Sequence, residues 1–196
     1  MQQTIIKQIT HTVLGSALFL GVASANAVEC STGLSPVEFK GTIINNGQNA
    51  EEVGASTLGV ATVKVGRRFN VLARMKCGVI GVNAATEDEP FAFTHTFSCN
   101  DHNVTYLGAD FGFQRAHSQL TFNTHGDLSI EGSCAPISNG FYGSFVEYSS
   151  PSANNTGRGL FTDVTEGEVV IEGDVNCLGS IDMTFKGYLC MTAPRR

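Results

Sequence analysis

The sequence predicts an all-β protein, an antiparallel up-and-down barrel-like fold stabilised by disulfides, with a β-sandwich as the alternative. Three observations carry this reading. Apolar and polar residues alternate with a period of two along most of the chain. Gly-rich breaks cut the alternation into roughly nine or ten short strands. No stretch after Val28 shows the 3.6-residue apolar period of a helix. Consecutive hairpins favour a meander, and closing it into a barrel removes edges that otherwise invite aggregation.

The N-terminal segment stands outside this pattern. In "MQQTIIKQITHTVLGSALFLGVASANA" Lys7 is the sole formal charge, an apolar run spans Val13 to Ala23, and Ala25-Asn26-Ala27 has the small-residue form of a cleavage site. This is the layout of a secretory signal peptide over 1–27, leaving 28–196 as a single β-rich domain. The apolar run is about half the ~20 residues of a spanning helix, and no second one follows. The expected location is the periplasm or the extracellular space, with no membrane span.

The strands are expected in order as follows. Val37–Ile44 comes first. In "TLGVATVKVGRRFNVLARMKCGV", Ala61, Val63 and Val65 alternate, then Phe69, Val71, Ala73, Met75 and Cys77. A two-residue Gly66-Arg67 loop would put these two sets on opposite faces, so a three-residue turn or a β-bulge is required. Phe91–Cys99, Val104–Leu107 and Asp110–Arg115 follow. Leu120, Phe122, Leu128 and Ile130 suggest a hairpin around "NTHGD", Asn123 to Asp127. Phe141–Tyr148 and Leu160–Val164 are the next strands. The clearest hairpin is Glu168 to Cys190, where Val169, Ile171, Val175, Ile181, Met183, Phe185 and Leu189 are all odd-numbered. A three-residue turn, Leu178-Gly179-Ser180, keeps them on one face.

Six cysteines, Cys30, Cys77, Cys99, Cys134, Cys177 and Cys190, in an exported chain form a disulfide framework, three bridges in all. Pairing Cys30 with Cys190 ties the two ends of the domain together and closes the longest loop. Cys77, Cys99, Cys134 and Cys177 each end an apolar run and can pin neighbouring strands. No C-x-x-C occurs, which excludes thioredoxin-type redox chemistry and paired zinc knuckles.

The formal net charge of −6 and the lack of a basic stretch argue against nucleic acid and against anionic membrane surfaces as partners. The most suggestive stretch is "FAFTHTFSC". Phe91, Phe93, His95 and Phe97 share one face of a strand. An imidazole among three phenylalanines is either a packed core histidine or a polar group that orients a ligand in an apolar cavity. His95, Cys99, Asp101 and His102 are metal-ligand types, but His95 and Cys99 lie ~13 Å apart along a strand and do not converge. No cofactor or metal is expected. Glu87, Asp88 and Glu89 read as an exposed acidic loop without the alternation of a calcium site. The two polar stretches, Asn45 to Ser56 and Glu147 to Gly159, read as long loops. No G-x-S-x-G, H-E-x-x-H or P-loop is present.

The resulting expectation is a non-catalytic exported protein. It binds a small apolar ligand in its interior, around Phe91, Phe93, His95 and Phe97, or a protein partner through its loops. The alternatives are an assembly subunit at the cell surface and, third, a barrel cyclase or hydrolase using His95 with a nearby carboxylate.

Overall fold

Alternation of apolar and polar residues leaves each strand one face to bury, and eight strands bury them together by closing on themselves. The computed structural model describes residues 29–50, 54–67, 70–100, 105–106, 109–110, 117–130, 132, 141–154 and 157–192. The segment 1–27 expected as a leader, Cys134, and all but Thr105, Tyr106 and Asp110 of the expected strands Val104–Leu107 and Asp110–Arg115 lie outside the described residues.

The strands are β1 (Leu34–Ala50), β2 (Gly54–Arg67), β3 (Asn70–Asn83), β4 (Ala92–Asn100), β5 (Thr105–Tyr106), β6 (Ala109–Asp110), β7 (His117–Ile130), β8 (Phe141–Pro151), β9 (Gly167–Asn176) and β10 (Ser180–Thr192). Eight of them form a closed antiparallel barrel in the order β1-β10-β9-β8-β7-β4-β3-β2, and β2 returns to β1. β5 and β6 pair with each other between β4 and β7. The meander and its closure are those the sequence predicts.

The β2–β3 connection resolves its parity conflict with a bulge. Val65 lies opposite Ala73 while Gly66 lies opposite Val71, so Leu72 and Ala73 are both buried and the inward set is preserved. The β9–β10 turn is one position earlier than expected. Ile181 faces Val175, so the turn is Cys177-Leu178-Gly179, with Gly179 at φ 77. Parity is unchanged by that shift. Two expectations fail. There is no hairpin at Asn123–Asp127: β7 runs straight through it, pairing with β4 over its first part and with β8 over its second. Thr124 is buried there, and Leu128 and Ile130 are the exposed residues. The expected strand at Leu160–Val164 is instead a 3-10 turn, Gly159–Phe161, followed by buried Val164.

That turn plugs one end of the barrel. Phe161 sits edge-on to Phe39, 6.1 Å between centroids, and the Leu160 N–H donates to Ser118 Oγ at 2.9 Å. Phe39 also meets Phe97, Phe122 and Phe185 at 6.0, 5.6 and 5.0 Å, an aromatic core filling the lower half of the barrel. Phe185 lies opposite Gly41, where a Cβ would stand 2.7 Å from its ring. Cys30–Cys190 closes a loop of sequence separation 160 at the plugged end. Cys77–Cys99 joins β3 to β4 between directly opposed residues. Cys177 is also disulfide-bonded.

Candidate functional site

The end away from the plug is built differently. Here β1, β2, β4, β7 and β8 turn polar side chains inward: Asn45, Thr57, His95, Thr124, Glu147 and Ser149, all buried. They keep the dry parity of their strands, two or four residues beyond Ile43, Phe97, Phe122 and Phe145.

Three of these side chains lie directly opposite a glycine: Asn45 opposite Gly59, His95 opposite Gly81 and Glu147 opposite Gly126. A Cβ on Gly81 would stand 2.8 Å from His95 Nε2, so the glycine is the space the imidazole occupies. The Cys77–Cys99 bridge fixes the β3–β4 register four residues away. A one-residue slip there would turn His95 to the outer face.

His95 stacks on Phe93, with centroids 5.7 Å apart and planes 22° from parallel. Its Nδ1 shares a hydrogen bond with Thr124 Oγ1 at 3.1 Å, and Thr124 Oγ1 shares one with Ser149 Oγ at 2.9 Å. Glu147 Oε2 lies 3.9 Å from His95 Nδ1, beyond hydrogen-bond reach, and has no hydrogen-bond partner. Asn45 Nδ2 donates to Thr57 Oγ1 at 3.1 Å, while Asn45 Oδ1 is likewise unpartnered.

Burial sets the charge states. Desolvation pulls the His95 pKa down to about 4 and pushes the Glu147 pKa up to about 7. At neutral pH the imidazole is uncharged, and burial works against a charge on Glu147. The pair is therefore not a fixed ion pair.

Asn45, Thr57, His95 and Glu147 border a cavity of about 110 Å³. Phe91, Phe93, Phe145 and Met183 supply apolar walls, and Leu128, Tyr142, Val175 and Ile181 also line it. Of the four residues the sequence singles out, Phe91, Phe93 and His95 come together on the cavity. Phe97 does not: it packs into the dry half against Phe39, Phe122 and Phe185. Cys99 is consumed in its disulfide, so it offers no thiolate to a metal.

Glu147 and Asn45 are the residues sequence reasoning misses. Asn45 falls in a stretch expected as a loop, and Glu147 where the expected strand Phe141–Tyr148 overlaps the other such stretch; both lie in strands, Glu147 in β8, which extends to Pro151, and Asn45 in β1, which extends to Ala50. The signal was parity. Phe145, Glu147 and Ser149 continue one alternation, as do Phe39, Gly41, Ile43 and Asn45.

Compared with known protein families, curated proteins and solved structures, the chain matches none. A closed eight-stranded β-barrel does not by itself establish a function, so the site has to be read from its own chemistry.

Proposed function

We propose that the protein is an exported, non-catalytic binder that holds a small, mostly apolar molecule in the polar-capped end of its barrel. One observation carries this reading: two buried oxygen acceptors, Glu147 Oε2 and Asn45 Oδ1, stand unpartnered at an aromatic-walled cavity. A buried acceptor without a donor costs roughly 1–3 kcal/mol, and a ligand donor would recover that. The volume suits a ring of benzene size, since engineered cavities of about 150 Å³ take up benzene. The ligand class is thus a compact apolar body carrying an N–H or O–H group.

Disulfides persist in oxidising compartments, and the N-terminal leader supports export to the periplasm or beyond. Among the described residues no helix is long and apolar enough to cross a membrane. The barrel wall argues the same way. Lys40, Lys64, Arg74, Glu172 and Lys186 are spread over five strands around an apolar interior, the reverse of a lipid-facing barrel. Strand exchange, which the assembly-subunit alternative needs, requires an open sheet edge, and the closed barrel has none to offer.

A second reading rests on the 3.9 Å approach of Glu147 to His95. An uncharged imidazole beside a carboxyl group titrating near neutrality is an acid–base pair in the right charge states, and a barrel enzyme could use it.

The test is native mass spectrometry of protein purified from the exported fraction, followed by denaturation. Extra mass retained only in the native state supports the binder, and Val175→Trp, which places an indole at the cavity, should abolish that mass with the fold intact. A native mass equal to the bare oxidised chain, together with no uptake of added small phenols, would overturn it.

A further inference from the structure

The outer wall of β1, β2 and β3 has an order along the strands that neither composition nor net charge discloses. Near the end away from the plug sits an apolar patch. Ile44, Leu58, Val60, Ile80 and Val82 point outward and are each 43–64% exposed. They are contiguous: Ile44 faces Val60 across one ladder, and Leu58 faces Ile80 across the next. Toward the plugged end lies a row of cations in direct cross-strand register, Lys186–Lys40–Lys64–Arg74, with Lys76 beside it. Like charges placed opposite one another destabilise a sheet. Only Lys40 has an ion-pair partner on this wall among the described residues, Glu38 at 2.7 Å. β2, β3 and β4 contain no Asp or Glu at all.

On the other side of the patch the β3–β4 ribbon ends in an acidic tip. Thr86 N–H donates to the Glu89 carbonyl at 3.0 Å, and Glu89 N–H donates to Thr86 Oγ1 at 3.0 Å, closing a turn that carries Glu87, Asp88 and Glu89. All three are exposed. Ile80 lies between the two: Arg74 is six residues back along β3, about 20 Å on an extended strand, and Thr86 is six residues on, three past the end of β3.

We infer that this wall is a homodimer interface with two-fold symmetry. A surface ordered acid, apolar, cation is complementary to itself when turned end for end. The apolar patches of two copies then meet at the axis, and each cation row faces the partner's acidic tip. Five half-exposed aliphatic side chains amount to on the order of 500 Å² of apolar surface, and a standard interface takes ~800 Å² per partner. The threonines between the patch and the charges, Thr42 and Thr62, supply further contact area. An anionic membrane satisfies the cation row but brings the acidic tip against like charge, so a second copy is the better fit. The inference does not depend on what the cavity holds.

The test is the solution mass of the full chain by sedimentation equilibrium up to about 100 μM, where a micromolar dimer would be saturated. Two variants reverse opposite halves of the contact: Lys64→Glu with Arg74→Glu, and Glu87→Lys with Asp88→Lys and Glu89→Lys. Wild type should be dimeric, and each variant alone should dissociate at least about tenfold more readily, because its two contacts become repulsive. Mixed in equal amounts the two variants should form a one-to-one heterodimer. Loss in each variant's own homodimer together with gain in the mixture requires the turned-end arrangement, and the gain also shows that both variants are folded. A wild-type monomer, a dimer indifferent to either reversal, a ladder of higher oligomers, or reversals that fail to rescue each other would overturn the inference. So would a monomer that instead floats with anionic vesicles in a Lys64- and Arg74-dependent way.

Discussion

Replacing Glu147 by Gln should uncover a pH dependence of stability that the wild-type barrel conceals. Glu147 is 4% exposed and its pKa rises from 4.5 to about 7 on folding, through burial. Between pH 4.5 and 7 the folded state therefore holds a proton that the unfolded state releases. Stability falls through that window, by about 3 kcal/mol in all. His95 does the opposite. Its pKa drops from 6.5 to about 4 by burial, so between pH 4 and 6.5 the unfolded state holds the extra proton, and stability rises by about 3 kcal/mol. From about pH 4.5 to 6.5 the two slopes cancel, and the pair contributes a plateau. The assay is urea unfolding at half-unit steps from pH 4 to 8. The stability of wild type minus that of Glu147→Gln should decline by about 3 kcal/mol between pH 4.5 and 7.5. For His95→Gln the same difference should climb by a similar amount between pH 4 and 6.5. Exposed carboxylates shift all three proteins together and drop out of the differences. A difference for Glu147→Gln that stays constant across the range would refute the claim that this carboxyl is buried without a compensating charge.

Other expectations follow from packing and cross-links. Phe39→Ala empties the centre of four ring contacts and should cost about 3–5 kcal/mol in equilibrium unfolding. Gly81→Ala forces a methyl against Thr57 Oγ1 and His95 Nε2 and should cost about 1–3 kcal/mol, a penalty relieved in part by His95→Ala and further by Thr57→Ala, which double-mutant cycles measure. Removing Cys30 and Cys190 together opens a loop of separation 160 and should lower stability by about 5 kcal/mol on the chain-entropy account, against about 3 for Cys77 with Cys99, whose separation is 22. Thermal melts of the two double-alanine proteins rank them directly.

Period two was sufficient to read the architecture, because a barrel of this kind imposes one rule on every strand: alternate residues face in. The rule is strong enough to demand the bulge at Val65/Gly66, where two in-phase runs could not otherwise meet across a two-residue turn. It failed where composition was allowed to override it. "NTHGD" has turn residues, yet Thr124 and Gly126 continue the parity of Leu120 and Phe122, and the strand goes on. The same holds for Asn45 and Glu147: polar residues that keep the inward phase mark a buried position on a strand, not a loop. Local sequence also could not place Phe97 apart from Phe91 and Phe93. All three share one parity, Phe91 just ahead of β4 and Phe93 and Phe97 within it, and only the depth of Phe39 on β1 and Phe122 on β7 puts Phe97 in the dry half.

The two ends of the barrel are built to different specifications, and that asymmetry is the strongest physical argument for a site. At one end the chain seals the barrel with Phe161 and Val164 and ties its termini with Cys30–Cys190, while Glu166 accepts hydrogen bonds from the Ser31 N–H and hydroxyl. At the other it places Asn45, His95 and Glu147 at inward positions that apolar side chains could fill, each opposite a glycine with no room for a Cβ. A barrel selected for stability alone would gain by filling those positions with leucine or valine, since a buried polar network that is only partly satisfied is worse than an apolar core. Glu147 Oε2 and Asn45 Oδ1 remain unpartnered all the same. On the binding function proposed above, those acceptors are met by a donor that arrives from outside the chain.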